Sequence, residues 1–219
     1  MTLKELFASV TTDSGFNGYV TTDNMVLAID TSAEQKADVD DYAVAYMGFT
    51  NRSSSLNPKE KTSSYYYHGE STVKTGNQRT IDWEAERYVG DDFQDFAVSH
   101  EMKYAKGQKS IVNYAYFNML TGSGEKGKGT LIISNDGSGA PEENLVIGGS
   151  IKKSGEEPVQ FTYMGLGGYS AVKEQPTDWS SAFANYFIRE NGAFTAVAAA
   201  ENGDAPQWAE GIYYSKNKN

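Results

Sequence analysis

Cysteine is absent from this 219-residue chain, and disulfides, thiolate nucleophiles, Cys-ligated zinc and iron–sulfur clusters are excluded with it. Histidine is nearly as scarce. His68 and His100 are the two present, so a Ser-His-Asp triad or a two-histidine metal site would have to use one or both. Each has a simpler use: His68 as a surface imidazole after three tyrosines, His100 as a cation near a helix end. Long apolar runs are also missing, which excludes a membrane-spanning helix. The opening Met1-Thr2-Leu3-Lys4-Glu5-Leu6-Phe7-Ala8-Ser9-Val10 has no sustained apolar stretch, so no secretory signal is expected. With Thr2 in place of glycine and no cysteine, no lipid anchor is expected either. Positive charge is short: 19 Lys and Arg against 29 Asp and Glu leave a net charge of -10, the wrong sign for gripping phosphate backbones. A role in which nucleic acid passes without sticking is compatible with that balance. Proline is low at 5 residues, whereas 22 glycines and 15 tyrosines predict many turns between aromatic-rich strands.

Along the chain, Leu3, Leu6, Phe7 and Val10 fall at helical spacing and predict a short helix from about Leu3 to Ser9. Met25-Val26-Leu27-Ala28-Ile29 and Tyr42 to Phe49 read as strands. The polar stretch Asn51 to Lys61 has no periodicity and reads as a long loop, uncommon in a compact domain unless it has a job. Tyr65 to Lys74 and Thr80 to Val89 read as two strands joined at Thr75-Gly76-Asn77. A helix from about Asp91 to Ala105 follows, capped by Asp91 or Asp92, with Phe93, Phe96 and Ala97 as its apolar stripe. Ser110 to Leu120, Gly129 to Ser134, Glu143 to Lys153 and Pro158 to Met164 read as further strands between Gly-rich or charged turns. This predicts a mainly β protein, an antiparallel sandwich or barrel carrying one flanking helix. After Leu166-Gly167-Gly168 the composition shifts. Tyr186-Phe187-Ile188-Arg189, the hairpin signal Asn191-Gly192, Ala193 to Val197 and Gly211 to Tyr214 predict a small aromatic-rich β appendage, giving a division into residues 1–168 and 169–219.

Several constellations invite a chemical reading. Gly122-Ser123-Gly124-Glu125-Lys126-Gly127-Lys128 matches seven positions of a phosphate-binding loop. However, Gly129 stands where a hydroxyl should ligate magnesium, and Thr130-Leu131-Ile132-Ile133 is a strand pattern rather than a helix, so a hairpin turn is expected. Asp91, Asp92 and Asp95 could hold magnesium, but an acidic helix start explains them without one. Asn135-Asp136-Gly137-Ser138-Gly139 lacks the ligand pattern of a calcium loop and reads as a turn. No cofactor or metal is expected. In Ile81-Asp82-Trp83-Glu84-Ala85-Glu86, alternation puts Asp82, Glu84 and Glu86 on one face of a strand and Ile81, Trp83 and Ala85 on the other. The carboxylates suit a solvated face, an acidic wall lining something, or one half of a glycosidase site. Exposed aromatics such as Trp179, Trp208 and Tyr214 would instead suit a carbohydrate-binding sandwich module.

The run Ile81-Asp82-Trp83-Glu84-Ala85-Glu86-Arg87-Tyr88-Val89-Gly90-Asp91-Asp92-Phe93-Gln94-Asp95-Phe96 resembles the stretch leading into the helix of major tail tube proteins from long-tailed phages of Gram-positive bacteria. Gly122 to Gly129, Ser134 to Gly139 and Pro158-Val159-Gln160-Phe161-Thr162-Tyr163 continue the likeness in the same order, over roughly residues 15 to 165. The resemblance implies a structural virion protein rather than an enzyme, assembled in the host cytoplasm into the virion tail. Its subunits would join edge to edge into six-fold rings whose sheets close into a barrel, and the rings would stack into a tube. That arrangement removes exposed strand edges by pairing them between copies. Asp82, Glu84 and Glu86 would then line a channel that DNA traverses without sticking. Asn51, Arg52, Asn57, Pro58, Lys59 and Glu60 would belong to the loop contacting the next ring. The partners implied are further copies of the chain, a tape measure protein inside the tube, and tail terminator and distal tail proteins, with no membrane.

Overall fold

The computed structural model describes residues 1–8, 10 and 12–165 together with four later strands at 169–171, 186–190, 193–196 and 213–216. It is mainly antiparallel β with short helices, as the turn-and-strand pattern predicts. The N-terminal helix α1 (Leu3–Leu6) opens on a reciprocal cap. The Thr2 amide donates to Glu5 Oε2 (2.8 Å), and the Glu5 amide donates to Thr2 Oγ1 (3.3 Å). It is shorter than Leu3 to Ser9 because the chain tightens at Phe7, itself fully buried.

Strand β1 (Met25–Ile29) lies where expected. The next, β2 (Ala43–Val44), is far shorter than the apolar run from Tyr42 to Phe49, which is interrupted at Gly48. Gly48 takes φ +70, and a Cβ there would stand 2.3 Å from the Glu86 carbonyl oxygen, so only glycine fits. Strands β3 (Phe49–Ser55), β4 (Pro58–Tyr65), β5 (Gly69–Asn77) and β6 (Thr80–Glu86) follow. The polar stretch from Asn51 to Lys61 is therefore not a loop: it completes β3, turns at Leu56 and Asn57, and begins β4. Hydrogen-bonded ladders to β6 and β5 hold it extended, and a strand exposed on both faces carries no apolar alternation to reveal it. The hairpin turn falls at Tyr66-Tyr67-His68 rather than at Thr75-Gly76-Asn77, which sits inside β5 beside a bulge.

The expected single helix splits into α2 (Asp92–Ala97) and α3 (His100–Lys103), because Ser99 takes a non-helical conformation and caps α3 through Oγ. Strands β7 (Ile111–Asn118), β8 (Ser123–Ser138), β9 (Val146–Lys153) and β10 (Val159–Thr162) complete this part of the chain. Two predicted turns, Thr121 to Lys126 and Asn135 to Gly139, lie largely within the 16-residue β8. At Gly124 a Cβ would come within 2.3 Å of the Tyr116 carbonyl oxygen, so glycine serves close backbone approach here rather than reversal or phosphate binding. The strand order is β2-β1-β7-β8-β9-β6-β3 with β10 paired to β8, while β4 and β5 form their own two-stranded sheet. Strands β11 (Tyr169–Ala171), β12 (Tyr186–Glu190), β13 (Ala193–Ala196) and β14 (Tyr213–Lys216) form a four-stranded sheet in the order β11-β14-β12-β13, the small C-terminal β element the sequence predicts. Trp179, Asn191-Gly192, Pro206 and Trp208 lie outside the described residues.

Two compact units emerge. One comprises residues 1–44, 115–125 and 160–219, and its core gathers Leu3, Phe7, Val26, Phe117, Phe161 and Tyr163, with the Phe7 and Tyr163 rings meeting edge-on at 4.9 Å. Its buried polar groups are partnered: the Tyr163 hydroxyl donates to Asp40 Oδ1 (2.7 Å), and Asp30 accepts from the amides of Ser32 (2.8 Å) and Ala37 (3.1 Å). The other comprises residues 45–114 and 126–159. Phe49, Trp83 and Phe93 form its aromatic centre, with ring centroids 5.3 to 5.8 Å apart and Phe93 edge-on to both others.

Candidate functional site

Strand β6 is the most informative element of the second unit. Ile81, Trp83 and Ala85 are buried, while Asp82, Glu84 and Glu86 are exposed, as alternation predicts. Cross-strand neighbours on the exposed face are small and uncharged around the first two carboxylates. Ser53 and Ser150 flank Asp82, and Asn51 and Gly148 flank Glu84. Glu86 accepts from Asn144 Nδ2 (2.7 Å). Among the described residues no ion pair reaches Asp82 or Glu84. Carboxylates two residues apart stand about 7 Å from one another along a strand. Their repulsion is then about 0.6 kcal/mol in water but about 2.4 kcal/mol at an effective dielectric of 20. An unneutralised stripe of this kind belongs to a hydrated face. Parallel side chains at that spacing do not converge on one ion or face each other across a cleft, which disfavours both a metal site and a glycosidase pair. Among the described residues no group of three or more His, Asp or Glu could hold a metal ion.

One side of this stripe is closed by β9, and the other by β3, which ends the sheet. No second strand pairs with β3 among the described residues. It is seven residues long and free of proline and lysine, and it carries Arg52 and a bulge between Phe49 and Asn51. Asn51 and Arg52 lie in this strand. Asn57 turns the chain at φ +41 and donates through Nδ2 to the Gln78 carbonyl (3.1 Å) and Thr80 Oγ1 (3.2 Å). Pro58, Lys59 and Glu60 open β4. The six residues thus form an edge strand, a pinned turn and the base of a hairpin.

Helix α2 fixes where β3 and β6 begin and end. Asp91 caps it, accepting from the Gln94 amide (3.0 Å) through Oδ1 and from the Met47 amide (3.2 Å) through Oδ2. Gln94 is fully buried. Its Nε2 donates to the carbonyls of Met47 (2.6 Å) and Glu86 (3.3 Å), and its Oε1 accepts from the Tyr88 amide (2.8 Å). Arg87 pairs with Asp95, whose other oxygen accepts from the Gly90 amide (3.0 Å). Of the acidic run, Asp91 therefore supplies a cap and Asp95 an ion pair. Sequence reasoning missed Gln94, and a polar residue one position after Phe93 on an otherwise apolar helix face was the available signal.

Strands β4 and β5 form a ribbon exposed along nearly its whole length, ending in Tyr65, Tyr66 and Tyr67 at 59%, 94% and 103% exposure. His68 lies in its turn. His100 opens α3 with its ring 4.9 Å from Tyr104. Of the aromatics suited to a sugar platform, Trp179 and Trp208 lie outside the described residues and Tyr214 falls on β14.

No family profile and no curated protein matches the chain. Among solved structures it is similar to a chain from the tail of an empty gene transfer agent particle, obtained by helical refinement with C6 symmetry. The two share 10% identity over 66% of this chain and 98% of that one, with a TM-score of 0.46. A chain from the virion of a native gene transfer agent particle also shares 10% identity, with the same coverage and a TM-score of 0.43. Both superpositions are partial, and neither carries a functional assignment.

Proposed function

We propose that the chain is a non-enzymatic structural protein of a phage-type virion tail, polymerising with copies of itself as stacked six-fold rings. In this reading Asp82, Glu84 and Glu86 face a water-filled channel. The observation that carries it is the position of β3: an edge strand that no second described strand pairs with, directly beside an unneutralised carboxylate stripe. Pairing that edge with a strand of the next copy would satisfy its free backbone groups and continue the acidic face from subunit to subunit. A wall of one sign repels phosphates along its length, so DNA finds no trap on its way through. Asn51 and Arg52 then lie at the contact within a ring, while Asn57, Pro58, Lys59 and Glu60 carry the hairpin that reaches the next ring. The resemblance of the run from Ile81 to Phe96 to tail tube proteins supports the same reading and brings with it a tape measure protein within the tube and terminator and distal tail proteins at its ends.

Negative-stain microscopy of the purified chain at high concentration tests the proposal, with rings or filaments expected. A chain that stays monomeric at every concentration and with tail assembly factors present contradicts it. Replacing Asp82→Lys together with Glu84→Lys is expected to leave tubes intact and slow DNA release. Unchanged ejection would remove these residues from the channel wall.

A further inference from the structure

The β4–β5 hairpin has two chemically different faces. Partners directly opposite each other in an antiparallel pair share a face, and positions alternate along each strand. Register therefore puts Lys59, Lys61 and Tyr65 of β4 on one face with Val73 and Ser71 of β5. The opposite face carries Glu60 beside Lys74, Glu70 beside Ser64, and the Thr62 and Thr72 hydroxyls, which hydrogen-bond to each other at 2.9 Å. One face thus combines two lysines that make no ion pair among the described residues with the two large apolar side chains of the ribbon's paired strands between Lys59 and Val73, Tyr65 and Val73, 59% and 60% exposed. The other is nearly self-neutralised and has no large apolar group.

An isolated two-stranded ribbon is marginal in water, and burial against something else normally supplies what the ladder lacks. A cationic, apolar face on a chain of net charge -10 finds its complement on that chain's own surface. From this we propose that the hairpin docks on a second copy of the chain through the Lys59, Lys61, Tyr65 and Val73 face, leaving the Thr62 and Thr72 face in solvent. The inference rests on the self-assembly reading and adds to it which side of the arm makes the contact and what chemistry meets it.

The absence of native cysteine allows a direct test on the full-length chain. Ser71→Cys labels the proposed docking face, and Ser64→Cys labels the other, each at an exposed serine. Alkylation by a maleimide is followed at low and at high protein concentration. The Ser71→Cys thiol is expected to react about tenfold more slowly in the concentrated sample, as for a site roughly nine-tenths occupied, and the Ser64→Cys thiol at an unchanged rate. Lys59→Glu with Lys61→Glu should abolish the protection, whereas Lys74→Glu should preserve it. Filaments in which both thiols stay equally reactive would overturn the face assignment and leave the tube reading standing. Oligomers that protect the Ser71→Cys thiol yet never lengthen into tubes would keep the face assignment and overturn the tube.

Discussion

Strand β6 and the β4–β5 hairpin are both rich in polar residues, yet different forces hold them. In β6 every second side chain is buried, and Trp83 locks into Phe49 and Phe93, so packing fixes the strand and its carboxylates are free to serve another purpose. The hairpin buries almost nothing, and its ladder, the Thr62–Thr72 bond and the Asn57 turn are its local supports. The difference separates a platform from an arm. Groups that must hold a position sit on the packed strand, and groups that must reach another molecule sit on the ribbon.

The comparison is most easily broken at its packed end. Trp83→Ala should lower unfolding stability by about 3–5 kcal/mol in chemical denaturation, whereas Tyr66→Ala at the hairpin tip should change it by less than about 0.5 kcal/mol. Equal effects would mean that the ribbon is packed and β6 is not special. Next in size is Gln94→Ala, which strands the Met47 and Glu86 carbonyls and the Tyr88 amide. A loss of about 2–3 kcal/mol is expected, read in the same titration.

Buried ionisable groups sharpen the contrast further. The Tyr42 hydroxyl is pushed up to about 12 by burial, and further by the negative charges of Asp30 and Asp38. Because the folded value lies above that of the unfolded chain, the stabilisation is complete below pH 10 and is lost as pH rises through about 12. Thermal melting between these limits should show a steep fall in Tm that Tyr42→Phe reduces. The smallest effect belongs to the carboxylate stripe: Asp82→Asn with Glu84→Gln should shift stability by no more than about 0.5 kcal/mol, toward greater stability as the repulsion is relieved. A large loss in calorimetry would mean that these side chains have structural partners.

Much of the fold is legible where a local pattern has a physical consequence. The period-two run from Ile81 to Glu86 specifies β6 and its two faces, Asp91 specifies the start of α2, and Met25 to Ile29 specifies β1. The pattern is silent where a strand is exposed on both sides, so Asn51 to Lys61 reads as a loop. It misleads where glycines are needed for close approach, so Gly122 to Lys128 reads as a turn although Ser123 onward is strand. The candidate site divides in the same way: the carboxylates are visible in the sequence, but Gln94 and the open β3 edge are not.

Composition and alternation thus determined by themselves that this is an acidic, mainly β chain with three carboxylates on one side of a strand, because burial of apolar groups and solvation of charges act residue by residue. Tertiary structure alone decided which strand ends the sheet, which polar stretch becomes a ribbon, and where its turn falls. The first depends on hydrogen bonds between residues far apart in the chain and the other two on the pairing register of β4 with β5, and neither is encoded in the spacing of apolar residues.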